Sequence, residues 1–300
     1  MINADSIKAR LKNQAKEDGK TMQEELTTYG LERTIYRISV SKYADRFTLK
    51  GGILMYALFD GDFARATTDI DLLAQNISAD IDEMKKVFED IFSQTHDDAL
   101  RYDINTLNVH TITEFKEYHG VNISIKAYLD KTKVPISIDI GFGDVVYPER
   151  VKMEFPVLLD MEPPIVYVYS VSSVIAEKFE AIVSLGYANS RYKDFYDICV
   201  LALQYDLEAV ELINAVKETF SHRGTTFNDI VAFERDFVDD NSRQNRWKAF
   251  IKKKKAMINI EFEESVDLVK KLLLPIVNAI ENNEVFEEKW LSDIKSWSRK

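Results

Sequence analysis

A chain of 300 residues can bury a sizeable core as one large or two ordinary domains, and its 46% hydrophobic and 30% charged composition is that of a folded protein, not a disordered one. A net charge of −11 argues against a protein that coats nucleic acid indiscriminately, because that mode needs Lys and Arg to neutralise phosphates. Cys199, the single cysteine, excludes an internal disulfide, and His96, His110, His119 and His222 lack the spacing of a zinc site, so any metal falls to oxygen ligands of the kind magnesium or manganese prefer.

No apolar run approaches the roughly 18 to 20 residues of a membrane span, and the stretch Met1 to Lys20 is too charged for a signal-peptide core, which implies the cytoplasm and no membrane partner. The first forty residues read as helical. Phe47 to Leu49 is a short strand running into Gly51-Gly52 and a helix-compatible Ile53 to Phe59. Asp69 to Leu73 alternates as a half-buried strand, and Ser78 is a suitable N-cap for a helix with Ile81, Met84, Phe88 and Ile91 on one face. Val121 to Tyr128 and Ile136 to Phe142 also alternate and are joined by the turn-like Asp130 to Lys133, with Pro135 expected at a strand start. From about Tyr169 the pattern is helical: Ser170 to Leu185, Tyr192 to Gln204, Leu207 to Phe220, Arg243 to Met257, Glu263 to Ile280 and Val285 to Trp297. The expectation is an α+β protein, with a mixed-sheet domain over 1–165 that carries a helical N-terminal extension and a helical domain over 166–300. The basic run Lys252 to Lys255, near Arg243, Arg246 and Lys248, reads as a solvated helix face.

In a strand, residues two apart share a face, so Asp69 and Asp71 project together while Ile70 and Leu72 enter the core. Two like charges this close invite a divalent cation. Asp139 lies opposite Ile136, Ile138 and Ile140 on its own strand and offers a third carboxylate. Three oxygen ligands on neighbouring strands can hold two metal ions about 4 Å apart, one activating the attacking oxygen and one stabilising the leaving pyrophosphate. Gly51 and Gly52, before a helix, let backbone N–H groups approach phosphates, with Lys50 and Arg65 adding charge. Taken singly, a glycine pair or an Asp-x-Asp is a weak signal. Together, the glycine turn and helix, the Asp-x-Asp strand and a later strand with one Asp form the layout of a polymerase-β-like nucleotidyltransferase.

Phe47-Thr-Leu-Lys-Gly-Gly-Ile-Leu54 followed by Arg65-Ala-Thr-Thr-Asp-Ile-Asp-Leu72 resembles the opening signature of the AbiEii/AbiGii toxins. Ile138-Asp-Ile-Gly-Phe-Gly-Asp144 is similar to the third-carboxylate strand of that family. Ala176-Glu-Lys-Phe-Glu-Ala181 and Arg191-Tyr-Lys-Asp-Phe-Tyr-Asp197 resemble its helical Lys and Asp motifs. Sixteen residues separate Gly52 from Asp69, more than in the tightest nucleotidyltransferase patterns. The resemblance implies a magnesium- or manganese-dependent enzyme with Asp69, Asp71 and Asp139 as metal ligands. It further implies a nucleotide site that includes Lys50, Gly51, Gly52, Arg65, Thr67, Lys178 and Arg191, and a catalytic set completed by Lys178 and Asp194. It leaves open whether Asp194 or its neighbour Asp197 is the working carboxylate, and whether Asp139 binds metal.

By the same resemblance, the activity is transfer of NMP from an NTP to an acceptor hydroxyl, with the tRNA 3′ end as the leading acceptor. The outcome would be growth arrest in a type IV toxin–antitoxin or abortive-infection system, an antiviral defence. The cognate antitoxin would be a separately encoded DNA-binding repressor, with direct contact not required. Two other readings stay open: a protein or aminoglycoside-like small-molecule acceptor, which the acidic charge favours, and a non-catalytic nucleotide-binding module.

Overall fold

The computed structural model describes residues 3–63, 67–114, 118–252 and 257–299. The chain divides into two compact units, one made of Met1–Gly143 with Val151–Val168, the other of Asp144–Arg150 with Tyr169–Lys300. The first carries a mixed sheet and the second is mainly helical, the α+β class expected from the sequence.

In the first unit, α1 (Ala4–Asp18) and α2 (Met22–Ser39) precede β1 (Phe47–Lys50), α3 (Gly51–Leu58), β2 (Ile70–Ala74), α4 (Ile81–Phe92), β3 (Leu100–Glu114), β4 (Tyr118–Leu129), β5 (Thr132–Phe142), β6 (Val151–Glu154) and β7 (Ile165–Val168). The strands form one sheet in the order β3-β4-β5-β2-β1-β7-β6, in which β2 runs parallel to β5 and β1 parallel to β7. A capping box between Thr21 and Glu24 starts α2, which packs so closely on β5 that a Cβ at Gly30 would lie 2.6 Å from Val134 Cγ1. The α4 N-cap is Asp80, not Ser78. Asp80 Oδ1 accepts from the Asp82 and Glu83 amides at 3.0 Å each, whereas the Ser78 hydroxyl accepts only from Asp80 itself.

Alternation builds the β4–β5 hairpin. Val121, Ile123, Ile125, Val134, Ile136, Ile138 and Ile140 are buried, while Asn122, Ser124, Ser137 and Asp139 are only half-buried. Its turn is the two residues Asp130-Lys131, with Asp130 at φ 54°, so Pro135 falls inside β5 instead of at its start. It is tolerated there on a stretch that pairs with β4, before β2 joins at Ile138. Strand β3, which the sequence pattern did not signal, lengthens this edge of the sheet and carries a register shift between Asp103 and Asn108.

A buried polar network ties α2 to the loops around it. Arg37, wholly buried, makes a two-pronged ion pair with Asp98, Nη1 to Oδ2 at 2.5 Å and Nη2 to Oδ1 at 3.0 Å. Tyr29 donates to the Asp98 carbonyl at 2.7 Å, and the Leu158 amide donates to Glu32 Oε2 at 2.7 Å. Burial pushes the Glu32 carboxyl up to about 7, against the opposing pull of Arg33 and the Leu158 N–H.

The second unit contains α5 (Val171–Leu185), α6 (Tyr192–Gln204), β8 (Leu207–Glu208), α7 (Ala209–Arg223), the short α8 (Arg235–Val238), α9 (Asn241–Lys252), α10 (Phe262–Asn282), β9 (Lys289–Leu291) and β10 (Ser296–Ser298). Of the basic run, Lys253, Lys254 and Lys255 lie outside the described residues. The expected helix Val285 to Trp297 is instead a hairpin, with β9 and β10 antiparallel and β8 completing a three-stranded sheet. Two indoles account for this. Trp290 Nε1 donates to the Ala202 carbonyl at 2.8 Å, Trp297 Nε1 to the Leu272 carbonyl at 3.0 Å, and the rings meet edge to face at 5.7 Å. Their spacing fits a helix as well as a strand, and these long-range acceptors decide between them. Leu207 and Glu208, expected at the start of a helix, belong to this small sheet. Cys199 is fully buried and its thiol is pushed up by burial, so it is a packing residue and not a reactive thiol. Among the described residues no helix is long and apolar enough to cross a membrane.

Breaking the Arg37–Asp98 pair leaves a buried guanidinium without its partner. Asp98→Ala is therefore expected to lower unfolding free energy by about 3 to 5 kcal/mol in urea denaturation, whereas a change below about 1 kcal/mol would show the pair to be dispensable.

Candidate active site

The carboxylates are brought together by strand register. Lys50 on β1 is the cross-strand partner of Asp71 on β2, and Asp71 is in turn the partner of Asp139 on β5. Directly paired residues present their side chains to the same face, so Asp71 and Asp139 are neighbours by construction. Asp69 sits one residue before β2 instead of within it. Its carboxylate nevertheless joins the other two: Asp69, Asp71 and Asp139, all half-buried, each offer an oxygen, and these oxygens lie within 4.8 Å of one another.

Directly after β1 the chain turns into α3 at Gly51, whose φ of +64° is a left-handed conformation that favours glycine. A Cβ there would stand 1.9 Å from Asp71 Oδ2, so the glycine is needed for space as well as for conformation. This close approach lets the Gly52 amide donate to Asp71 Oδ2 at 3.2 Å. Burial, and then the charge of Asp69, push the Asp71 carboxyl up to about 6, with Lys50 and the Gly52 N–H opposing and Asp139 adding a smaller push. Asp69 Oδ1 faces the Thr68 hydroxyl at 3.4 Å. The Asn122 amide donates to Asp139 Oδ1 at 2.6 Å. The Thr67 hydroxyl is buried and has no hydrogen-bond partner among the described residues. Arg65 lies outside the described residues.

The donor set is three carboxylates and no nitrogen or sulfur, which suits a hard divalent cation such as magnesium or manganese. Crowding of the three negative charges fits such an occupant too: Asp71 is partly driven toward its protonated form without one.

The helical unit holds the other expected residues in a second cluster. Lys178 on α5 is almost fully buried, and its ammonium donates to Asp197 Oδ2 at 2.6 Å and lies 3.6 Å from Asp194 Oδ1. Asp194 Oδ2 accepts from Arg191 Nε at 2.6 Å. Asp194 and Asp197, one helical turn apart on α6, thus both face the lysine, Asp197 making the closer contact and Asp194 bridging to the partly exposed Arg191. Tyr192, Phe195 and Tyr196 are buried in this unit's core, Phe195 and Tyr192 against Phe262.

A family model described as nucleotidyl transferase AbiEii toxin, type IV TA system, matches residues 33–267. The chain belongs to the AbiEii family. No curated protein matches this chain. Two solved structures from Helicobacter pylori are similar. JHP933 is 13% identical, covers 86% of this chain and 94% of its own, and has a TM-score of 0.49. A candidate nucleotidyltransferase is 16% identical, covers 86% of this chain and 96% of its own, and has a TM-score of 0.46. Membership of the AbiEii family makes this chain a nucleotidyltransferase of a toxin–antitoxin system, with an NTP as substrate and a separate antitoxin.

Asn122 was not among the residues singled out from the sequence. Its signal was present: a two-residue turn at Asp130-Lys131 makes Asn122 and Asp139 cross-strand partners, on the face opposite the buried isoleucines.

Because its pKa in the fold lies above the ordinary carboxylate value, metal-free Asp71 contributes stability when protonated and loses it as pH rises through about 6. In metal-free buffer near neutral pH, Asp71→Asn should therefore be more stable to unfolding than wild type, by about 1 to 3 kcal/mol. Manganese should raise the melting temperature of wild type and leave that of Asp71→Asn nearly unchanged. Equal responses to manganese in the two proteins would remove Asp71 from the metal site. Gly51→Ala, which drives a methyl into Asp71, should lose the manganese response as well.

Proposed function

We propose that the protein is a divalent-metal-dependent toxin that transfers a nucleoside monophosphate from an NTP to an acceptor hydroxyl, with the 3′ end of tRNA as the acceptor. The observation that carries this reading is the convergence of Asp69 with the register partners Asp71 and Asp139 in a chain of the AbiEii family. These three carboxylates would hold the cation. When bound, it supplies charge neutralisation on the triphosphate and lowers the pKa of a coordinated hydroxyl.

In the transfer, the acceptor oxygen forms a bond to the α-phosphorus, the bond from that phosphorus to the bridging oxygen breaks, and pyrophosphate leaves with the electron pair. The proton of the hydroxyl passes to a carboxylate or to solvent. Lys50, Gly51 and Gly52 sit at the turn that leads into the α3 N-terminus, where backbone N–H groups and a lysine favour phosphate, with Thr67 and Arg65 as further nucleotide contacts. On the helical unit, Lys178 takes the triphosphate-binding role. Its chemistry supports that assignment, because Asp197 and Asp194 fix the position of its ammonium and the Arg191 guanidinium on Asp194 is itself partly exposed. Asp194, which shares its charge between Lys178 and Arg191, is the carboxylate assigned to the acceptor, and Asp197 the one that orients the lysine.

Blocking the acceptor end of tRNA would stop translation and arrest growth. The cognate antitoxin in this reading is a separately encoded DNA-binding repressor, with direct contact to the toxin not required.

The test is incubation of the purified protein with each α-labelled NTP, magnesium and total tRNA, read on a denaturing gel. Label is expected in tRNA with one NTP above the others, reduced more than about 100-fold in Asp71→Ala, and reduced about as strongly in Lys178→Ala with manganese binding retained. Label appearing in a protein or a small cationic acceptor instead would replace tRNA in this reading, and the net charge of −11 makes that the outcome to look for next. NTP binding with no transfer to any acceptor would leave a nucleotide-binding module.

A further inference from the structure

On the carboxylate face of the sheet an uninterrupted cross-strand row runs through His110, Asn122, Asp139, Asp71 and Lys50, on β3, β4, β5, β2 and β1. Asn122 stands next to the carboxylates on the side away from Lys50. Its Nδ2 donates to Asp139 Oδ1 at 2.6 Å and to Ser137 Oγ at 3.0 Å, so both amide hydrogens are engaged and the plane of the amide is braced. The orientation of the amide follows from chemistry, since an ionised carboxylate accepts and never donates. Among the described residues, Asn122 is the side chain that donates to Asp139.

Resting on the metal-site reading above, we infer that Asn122 is a positioning residue for the third carboxylate. The carboxylate torsion of an aspartate is broad, so a strand alone leaves the direction of Asp139's two oxygens loosely set. A short hydrogen bond to Oδ1 sets it and leaves Oδ2 for the cation. The donor type is suited to this task. A lysine or arginine at position 122 would hold Asp139 equally well but would neutralise it and repel the incoming ion, whereas a neutral amide orients the ligand and preserves its charge. Ser137, two residues before Asp139 on the same face of β5, fixes Asn122 in turn.

The test is manganese binding to the full-length protein, followed by the electron paramagnetic resonance signal of free ion, in wild type, Asp139→Ala, Asn122→Ala and the double variant. Asn122→Ala is expected to weaken binding about tenfold or more. In the Asp139→Ala background the same change should weaken it no further, because the effect runs through Asp139. Thermal melts of the metal-free proteins check that Asn122→Ala keeps the fold. Should it not, Asn122→Ser gives the same comparison with less loss of polarity. Wild-type affinity in Asn122→Ala, or a loss that adds fully to that of Asp139→Ala, overturns the inference while leaving the metal site standing. A wild-type protein that binds no manganese overturns the metal-site reading itself, and this inference with it.

Discussion

Three carboxylates within a few ångströms of one another are an electrostatic burden, and strand pairing keeps them on one face of the sheet. Asp71 pairs with Asp139 across parallel strands, and Asp69 precedes Asp71 by one strand repeat. Sliding β2 by one residue against β5 would send Asp71 to the opposite face, burying a charge beside Ile138 and Ile140 while turning Ile70 and Leu72 out of the core. The same hydrophobic burial that holds the register therefore holds the charges together. Gly51 adds a second restraint from the other side, since the backbone comes so near Asp71 Oδ2 that no side chain fits between them.

The helical unit solves a related problem in another way. Lys178, Asp194 and Asp197 are all nearly inaccessible, and burying an ammonium is tolerable only when its partners are close and well aimed. Asp197 satisfies it at 2.6 Å, and Asp194, at 3.6 Å from Lys178 and 2.6 Å from Arg191, links it to a partly exposed guanidinium. A phosphate oxygen reaching that lysine would compete with two carboxylates. The ammonium is thus held between two carboxylates and not by a single partner. The Arg37–Asp98 pair in the sheet unit is the contrasting case: both prongs of the guanidinium are used and both groups are wholly buried, so the pair is structural.

Local periodicity made most of the fold legible. The Asp-x-Asp strand, the glycine turn before α3, the β4–β5 hairpin and helices α5, α6 and α10 follow from apolar spacing within a dozen residues. What failed was decided at long range. Strand β3 has a register shift between Asp103 and Asn108 that breaks its alternation, and its pairing to β4 is what makes it a strand. The C-terminal hairpin has apolar spacing compatible with a helix, and indole hydrogen bonds to Ala202 and Leu272, distant in sequence, select the hairpin. Asp80 took the cap from Ser78 because the position nearest the first turn can reach two amides. The site shows the same division. Asp69, Asp71 and Asp139 were visible as strand residues of one polarity, but their convergence depends on a parallel pairing between β2 and β5 that no local pattern encodes.

The donors that touch the three carboxylates show how the site is built. Asp71 Oδ2 accepts from a backbone amide, Asp139 Oδ1 from a side-chain amide and Asp69 Oδ1 from a hydroxyl, and none of these donors carries a charge. Lys50, the cross-strand neighbour of Asp71, favours its ionised form by charge, yet burial and Asp69 outweigh it and the carboxyl is still pushed up to about 6. Neutral donors fix direction without cancelling charge. One oxygen of each carboxylate is oriented in this way, and the net negative charge of the cluster is left for something else to balance. An arginine in place of Asn122 would compensate the charge of Asp139, which the neutral amide leaves in place. The arrangement leaves repulsion among three carboxylates, a charge of the kind a divalent cation balances.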